Sequence, residues 1–341
     1  MQRILIVGYG SIGQRHLRIV RESLPDATIM VVRHQPTNDV PEMADLVSSS
    51  IDEVRSFQPE AAIIANPAPF HLHISKTLAE MGCHLLIEKP ISDRSDGVEN
   101  LLETVRATGV ICQVGYNMRY LPALSWFRDL INQGLVGRPL LVRCEIGQYL
   151  PNWRPDADYQ TSVSARSELG GGVLLELSHE IDYLNWIFGE VDWVSSWVGY
   201  VGNLNIDVED TAHLILGFKS NGPSKPIIAN LSLDFIRHDT TRICTVIGSD
   251  GSLRWNALTG VIDIYKSEGN SWDEYGVIPH HRDDSYRAQW KDFLTSVAER
   301  KEPLVSGKTG LAVLEIVEAA KASAQNKSVQ KRLSVNNAAY F

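Results

Sequence analysis

Two segments hold the side chains best suited to move a proton, Glu88-Lys89-Pro90 and His179-Glu180-Ile181-Asp182. A third, Gly8-Tyr9-Gly10-Ser11-Ile12-Gly13, holds a backbone suited to an anion. A lysine closing an apolar run, here 83–87, can donate a hydrogen bond or a proton to a substrate oxygen. Burial and neighbouring charges tune its acidity, and the adjacent Glu88 is placed to position it. His179 follows a carboxylate, Glu176, by three residues. On one continuous helix that spacing puts both on one face with Tyr183, where the acid would fix the imidazole's tautomer and raise its basicity. In the glycine-rich run, Gly8 makes the tight turn, Gly10 lets a pyrophosphate approach the backbone, and Gly13 lets a helix pack closely on the preceding strand. Ser11 and Ile12 open that helix, whose first N–H groups would face the phosphates. The apolar run Arg3–Val7 before the glycines and the helical pattern after them supply the context that makes this a dinucleotide site.

The end of the second strand is the usual place for cofactor discrimination. An acid about 20 residues past the glycine loop holds a ribose 2′-hydroxyl, whereas an arginine suits a 2′-phosphate. The chain reads Val31-Val32-Arg33-His34, with no acid before Asp39. NADP is therefore the expected preference, with NAD also compatible with the motif. Arg154 and Arg166 lie in a polar loop with Tyr149 and Trp153, Arg119 follows the fifth strand, and His238 sits beside Arg237. Such cations near one site would suit an acidic or nucleotide-linked sugar, though each also reads as a surface salt bridge. His71-x-His73 and His280-His281 lack companion ligands at metal-site spacing, so no metal is expected.

The elements that must position these groups fall into two halves. Up to residue 120, apolar runs at Arg3–Val7, 28–33, 61–65, 83–87 and 110–114 alternate with helical patterns at 11–22, Ile51–Phe57, 69–81 and 95–108. That rhythm predicts a Rossmann-type parallel sheet covered on both faces. From 121 to 341 the order changes. A helix over 121–133 and a strand over Pro139–Gly147 lead through a polar loop at 148–167 to a helix over 172–188. Strands follow at 191–201, 208–218, 226–235, 242–247, 252–255 and 261–265, divided by turn signals such as Ser220-Asn221-Gly222-Pro223 and Gly248-Ser249-Asp250-Gly251. Helices over Asp284–Glu299 and 309–325 close the chain, and 327–341 has no strong pattern. The second half therefore reads as an α+β domain on an open, mostly antiparallel sheet. Too few helices remain to cover both of its faces, and its strands carry Trp193, Trp197, Phe218 and Phe235. The uncovered face is expected to form a homodimer or homotetramer contact.

Composition excludes several classes. The chain has 341 residues, 44% hydrophobic and 21% charged, and a formal charge of −9. An acidic balance argues against nucleic acid or an anionic membrane as partner. Cys83, Cys112, Cys144 and Cys244 are dispersed, as suits buried thiols in a reducing compartment. No apolar run reaches the ~18 residues that span a bilayer, and no signal peptide precedes the first strand, so a cytoplasmic location is expected.

The motifs in combination resemble the glucose–fructose oxidoreductase / inositol dehydrogenase (Gfo/Idh/MocA) family. The matching segments are the glycine loop, Ala65-Asn66-Pro67-Ala68-Pro69-Phe70-His71, Gly82 through Pro90, and Gly115-Tyr116-Asn117-Met118-Arg119-Tyr120-Leu121-Pro122. Further matches are Gly134-Leu135-Val136-Gly137, Gly170-Gly171-Gly172 before the helix with His179, and Ile247 through Leu253. The resemblance implies NAD(P)-dependent redox chemistry on a sugar or cyclitol. It carries catalysis to Lys89 and His179, cofactor contacts to Asn66, Pro67, His71 and Glu88, and substrate contacts to Asp182 and Asn117. The family often has an aspartate four residues before the histidine. Here that position is Leu175, and the nearest preceding acid is Glu176, three residues before.

The combined expectation is an NADP-preferring oxidoreductase acting on a sugar hydroxyl or ketone. Hydride would pass between the nicotinamide and a ring carbon while Lys89 and His179 handle the hydroxyl proton. Its rivals are a glycosidase that uses the cofactor transiently, and a cofactor-binding sensor that has lost turnover.

Overall fold

The computed structural model describes residues 1–35, 38–220 and 225–332. Most of the turn signal at Ser220-Asn221-Gly222-Pro223, and the tail from 333, lie outside the described residues.

The first half folds as β1 (Arg3–Val7), α1 (Ser11–Ser23), β2 (Thr28–Val32), β3 (Leu46–Ser48), α2 (Ile51–Phe57), β4 (Ala61–Ile64), α3 (His71–Glu80), β5 (His84–Ile87), α4 (Val98–Thr108) and β6 (Cys112–Val114). The six strands are parallel in the order β3-β2-β1-β4-β5-β6. Ile4, Leu5 and Ile6 of β1 and Ala61 through Ile64 of β4 are wholly buried, which is why these strands read as unbroken apolar runs. The strand order reverses between β1 and β4. Their carboxyl ends therefore open the crevice where such sheets take ligands.

The second half comprises α5 (Pro122–Asn132), β7 (Pro139–Gly147), four short 3-10 turns between Leu150 and Leu169, α6 (Val173–Glu176), α7 (His179–Phe188), β8 (Val191–Gly199), β9 (Thr211–Phe218), β10 (Ile228–Asp234), β11 (Thr241–Gly248), β12 (Gly251–Asn256), β13 (Val261–Lys266) and β14 (Trp272–Val277). With the late β15 (Gln330–Lys331) they form a nine-stranded sheet, β14-β13-β12-β11-β7-β10-β9-β8-β15. Only β7 and β10 pair in parallel. Val142, Cys144, Leu231, Leu214, Val246 and Trp255 alternate onto one buried face. Phe127 of α5 and Tyr183 of α7 lie against the Trp255 ring at 6.1 and 5.8 Å. The opposite face carries Trp193, whose indole lies across Gly217, together with Trp197 and Ile215, which are 48% and 42% exposed. Phe218 and Phe235 do not belong to that face. Both are buried, against Phe188 and Trp153.

One expected helix is two. The pattern over 172–188 breaks at Leu177-Ser178, where the Ser178 hydroxyl donates to the Leu175 carbonyl at 2.8 Å. A serine bonding back into its own turn competes with the helical ladder, and periodicity does not register that competition.

The chain forms two compact units, Met1–Asn117 with Asp283–Leu314, and Met118–Arg282 with the described residues from Glu315 onward. A single division near 120 misses this return. In the first unit, α8 (Asp284–Glu299) inserts Trp290 and Phe293 into the core built on Ile4, Ile6, Leu17 and Val20. The Trp290 indole N–H donates to Ser23 Oγ at 2.8 Å. In the second unit, the later part of α9 (Gly307–Asn326) meets β8, where Ser196 N–H donates to Ser323 Oγ at 3.0 Å. Among the described residues no helix is long and apolar enough to cross a membrane.

Candidate active site

At the crevice of the first sheet the three glycines have separate surroundings. Gly8 has φ +94°, and a Cβ there would sit 2.7 Å from the Asn66 nitrogen, so the loop is seated against the end of β4. A Cβ at Gly13 would clash with the Gly8 carbonyl oxygen, so only glycine lets α1 lie this close. A Cβ at Gly10 would meet nothing within 4 Å. Gly10 precedes α1 without any side-chain cap, and the exposed Ser11 and half-buried Ile12 follow. The helix's first N–H groups thus face open space, as a pyrophosphate requires. Close by, the Asn66 side-chain oxygen is buried and faces no donor among the described residues. An orphaned acceptor beside the glycine loop fits a ligand that brings N–H or O–H groups, as a dinucleotide does. The Arg33 guanidinium lies over the Tyr9 ring at 5.4 Å while its backbone N–H donates to Ser48 O at 2.9 Å. The ring holds the arginine beside the glycine loop.

Pro67 opens the short 3-10 turn Ala68–Phe70 that leads into α3. His71, expected to touch the cofactor, is 1% exposed. Its Nε2 lies 2.7 Å from Asn66 O and its Nδ1 3.0 Å from Pro90 O. Burial pushes its pKa down, against the pull of the two carbonyls and Glu88. His71 is therefore a strut between two loops. Glu88 follows β5 and is buried as well. Burial works against its charge, but the hydrogen bond from His16 and the nearby Lys89 hold its carboxyl below the usual range. Lys89 is half-buried, and its backbone N–H donates to Glu88 Oε2 at 3.2 Å. Asn117, expected to meet substrate, is 7% exposed and its side-chain N–H donates to Ser285 Oγ at 2.9 Å.

In the second unit, His179 is the first residue of α7 and Glu176 the last of α6. Glu176 Oε2 accepts the Ser164 hydroxyl at 2.9 Å, so this acid reaches the preceding loop. The two residues therefore straddle the break between α6 and α7. Glu180 and Asp182 are 0% exposed. Glu180 receives Arg242 at 2.7 and 3.0 Å, and Asp182 receives Arg119 at 2.9 and 2.7 Å. Each oxygen of Asp182, expected to meet substrate, thus accepts one hydrogen bond from an internal cation. Arg154 is exposed, and Arg166 pairs with Glu168 at 3.3 Å on the surface. The His238 ring packs on Tyr149 at 4.2 Å, where the parallel strands β7 and β10 end side by side. The motif reading missed His16, Ser164 and Arg242. Only His16 left a trace, as a polar residue on the apolar stripe of α1.

Comparison with known proteins bears on the family and the fold. Residues 2–116 match the profile described as the NAD-binding Rossmann fold of an oxidoreductase family. Residues 128–331 match the C-terminal alpha/beta domain of the same family. The chain is 26% identical to myo-inositol 2-dehydrogenase of Thermotoga maritima, over 95% of this chain and 97% of that one. It is 25% identical to scyllo-inositol 2-dehydrogenase (NAD(+)) of Bacillus subtilis, over 95% and 94%. In fold it is similar to levoglucosan dehydrogenase solved with NADH and L-sorbose, with TM-score 0.85 and 18% identity over 98% of this chain and 100% of that one. It is also similar to the WlbA dehydrogenase from Bordetella pertussis solved with NADH and UDP-GlcNAcA, with TM-score 0.79 and 20% identity over 98% and 99%. The chain belongs to the Gfo/Idh/MocA family of oxidoreductases, with an NAD-binding Rossmann domain followed by the family's C-terminal alpha/beta domain.

Proposed function

We propose that this protein is an NADP-preferring dehydrogenase or reductase that acts on a hydroxyl or ketone carbon of a sugar, cyclitol or sugar derivative. The observation that carries the reading is the placement of Lys89. It stands at the carboxyl end of β5, in the same sheet whose β1 feeds the glycine loop. When bound, the nicotinamide supplies or accepts the hydride. The chain's own groups do the rest. Gly8, Gly10, Ser11, Ile12 and Gly13 cradle the phosphates, and Arg33 meets a 2′-phosphate. Lys89 and His179 hold and move the proton at the substrate oxygen. Arg154 and His238 on Tyr149 are the groups of the second unit that remain to recognise an acidic or nucleotide-linked sugar. The inositol, levoglucosan and UDP-sugar chemistry in the names of the similar proteins favours this class over a glycosidase or a sensor. The four cysteines are free and buried, which suits a reducing cytoplasm.

The test is a panel of sugars, cyclitols and nucleotide sugars followed by nicotinamide absorbance with each cofactor, using wild type, Lys89→Ala and Arg33→Asp. Lys89→Ala should lower turnover about 10²–10⁴-fold, and Arg33→Asp should weaken NADP binding without weakening NAD binding. Full turnover by Lys89→Ala would remove the catalytic assignment. Equal wild-type affinity for the two cofactors would remove the preference.

A further inference from the structure

The motifs give His16 no task, yet it is hydrogen-bonded to the residue that precedes Lys89. It lies on the buried face of α1 beside Leu17 and Val20 and is 1% exposed. Its Nε2 donates to Glu88 Oε1 at 2.6 Å, and Glu88 Oε2 accepts the Lys89 backbone N–H at 3.2 Å. Because the Glu88 carboxylate can only accept, Nε2 is the nitrogen that carries the proton. The other ring nitrogen, Nδ1, is buried and meets no partner among the described residues. One hydrogen bond therefore joins His16 to the site, and it ends on the carboxylate next to Lys89.

That carboxylate has little freedom on its other side. A Cβ at Gly115 would stand 2.8 Å from Glu88 Oε2 and 2.9 Å from the Lys89 nitrogen, so the β6 end of the sheet presses directly on the turn. The imidazole is held in its own orientation, edge-on to Tyr286 at 5.6 Å, with the Arg15 guanidinium over that ring at 4.8 Å. Gly115 closes one side, and His16 fixes the remaining rotation of the Glu88 side chain.

We propose that His16 is a positioning residue for Lys89, acting through Glu88 to fix the turn from which the lysine projects. The importance of that turn rests on the role given to Lys89 above, but the linkage itself can be read without turnover. The full chain is treated with an amine-acetylating reagent, with and without NADPH. Labelling of Lys89 is followed by peptide mass spectrometry, with the exposed Lys76 and Lys291 as internal standards. His16→Leu, which removes the donor, should change the Lys89 rate by about threefold or more while the standards stay constant, as expected when a supporting residue is lost. His16→Gln keeps an N–H donor near the Nε2 position and should restore the wild-type rate. A wild-type rate in His16→Leu overturns the proposal, and so does failure of His16→Gln to restore it. Should His16→Leu not fold, Glu88→Ala replaces it as background. There His16→Ala, which removes the donor, should have no further effect on Lys89, and any further effect shows that His16 does not act through Glu88. Full turnover by Lys89→Ala would remove the catalytic reading while leaving the labelling result standing, so the two failures are distinguishable.

Discussion

Arg119 grips Asp182 through two parallel hydrogen bonds, Nε to Oδ2 at 2.9 Å and Nη2 to Oδ1 at 2.7 Å, with the two residues 6% and 0% exposed. The guanidinium also lies over Trp186 at 5.3 Å. Burial outweighs the attraction of Arg119 and pushes the Asp182 carboxyl up to about 6. A folded-state value above the unfolded one means that its contribution favours folding at low pH and is lost as pH rises through about 6. Arg119→Met strips the compensating cation from a buried carboxylate. The change should cost about 3–5 kcal/mol near neutral pH, and less in mildly acidic buffer where the carboxyl takes up a proton. Urea unfolding at both pH values checks this, and a penalty independent of pH would contradict it.

The glycine loop separates fold from binding. Gly13→Ala forces a Cβ onto the Gly8 carbonyl, so it should lower the melting temperature and weaken cofactor binding together. Gly10→Ala meets nothing within 4 Å, so the melting temperature should stay near wild type. Its methyl group would nevertheless occupy the space a pyrophosphate approaches, and the cofactor dissociation constant should rise about tenfold or more. Calorimetry and fluorescence titration on the two variants decide the matter. A cofactor affinity unchanged in Gly10→Ala would place the phosphates elsewhere.

What the sequence made legible was local. The glycine loop, β1 and α1 follow from spacing within a dozen or so residues, and Pro139–Gly147 and Asp284–Glu299 have the bounds the pattern predicts. Elements without a periodic signature stayed hidden. β3 has three residues, and β14 reads Trp-Asp-Glu-Tyr-Gly-Val at a sheet edge, where exposure removes the alternation. Val173, Leu177, Ile181, Leu184 and Phe188 form a buried stripe at helical spacing, yet that spacing passes through the break at Ser178 unmarked. The polar side of that segment depends on distant partners. Glu180 and Asp182 are paired with Arg242 and Arg119, 62 and 63 residues away. His16 and Glu88 are 72 apart. Partners that neutralise a buried charge are chosen by the tertiary fold, which no window along the chain contains.

The open face of the nine-stranded sheet should be a contact between copies of the chain. Trp197 and Ile215 are 48% and 42% exposed on it, beside Trp193 lying flat on Gly217. Apolar side chains in such a row usually mark an association surface. Ile215→Lys leaves the buried face untouched and should shift light scattering at micromolar concentration from a homodimer or homotetramer to a monomer, with the far-UV spectrum preserved. A wild-type monomer at that concentration would refute the contact outright.

The last prediction concerns Glu176, the acid that precedes His179. Glu176 accepts the Ser164 hydroxyl, and the helix breaks between Glu176 and His179, so two tasks compete for this carboxylate. If it serves the histidine's proton, Glu176→Gln should lower turnover and move the pH profile, because the neutral amide no longer favours an imidazolium. Ser164→Ala, which removes only the loop's hydroxyl, should then leave the profile in place. If the carboxylate instead anchors the loop, Ser164→Ala should reproduce the Glu176→Gln effect on KM, and neither should shift the profile. His179→Ala is the reference for both, with an expected loss of about 10²–10⁴-fold in kcat. Combining it with Glu176→Gln tests whether the two act as one unit, in which case the double variant should be hardly worse than His179→Ala alone. Additive losses would assign Glu176 to the loop.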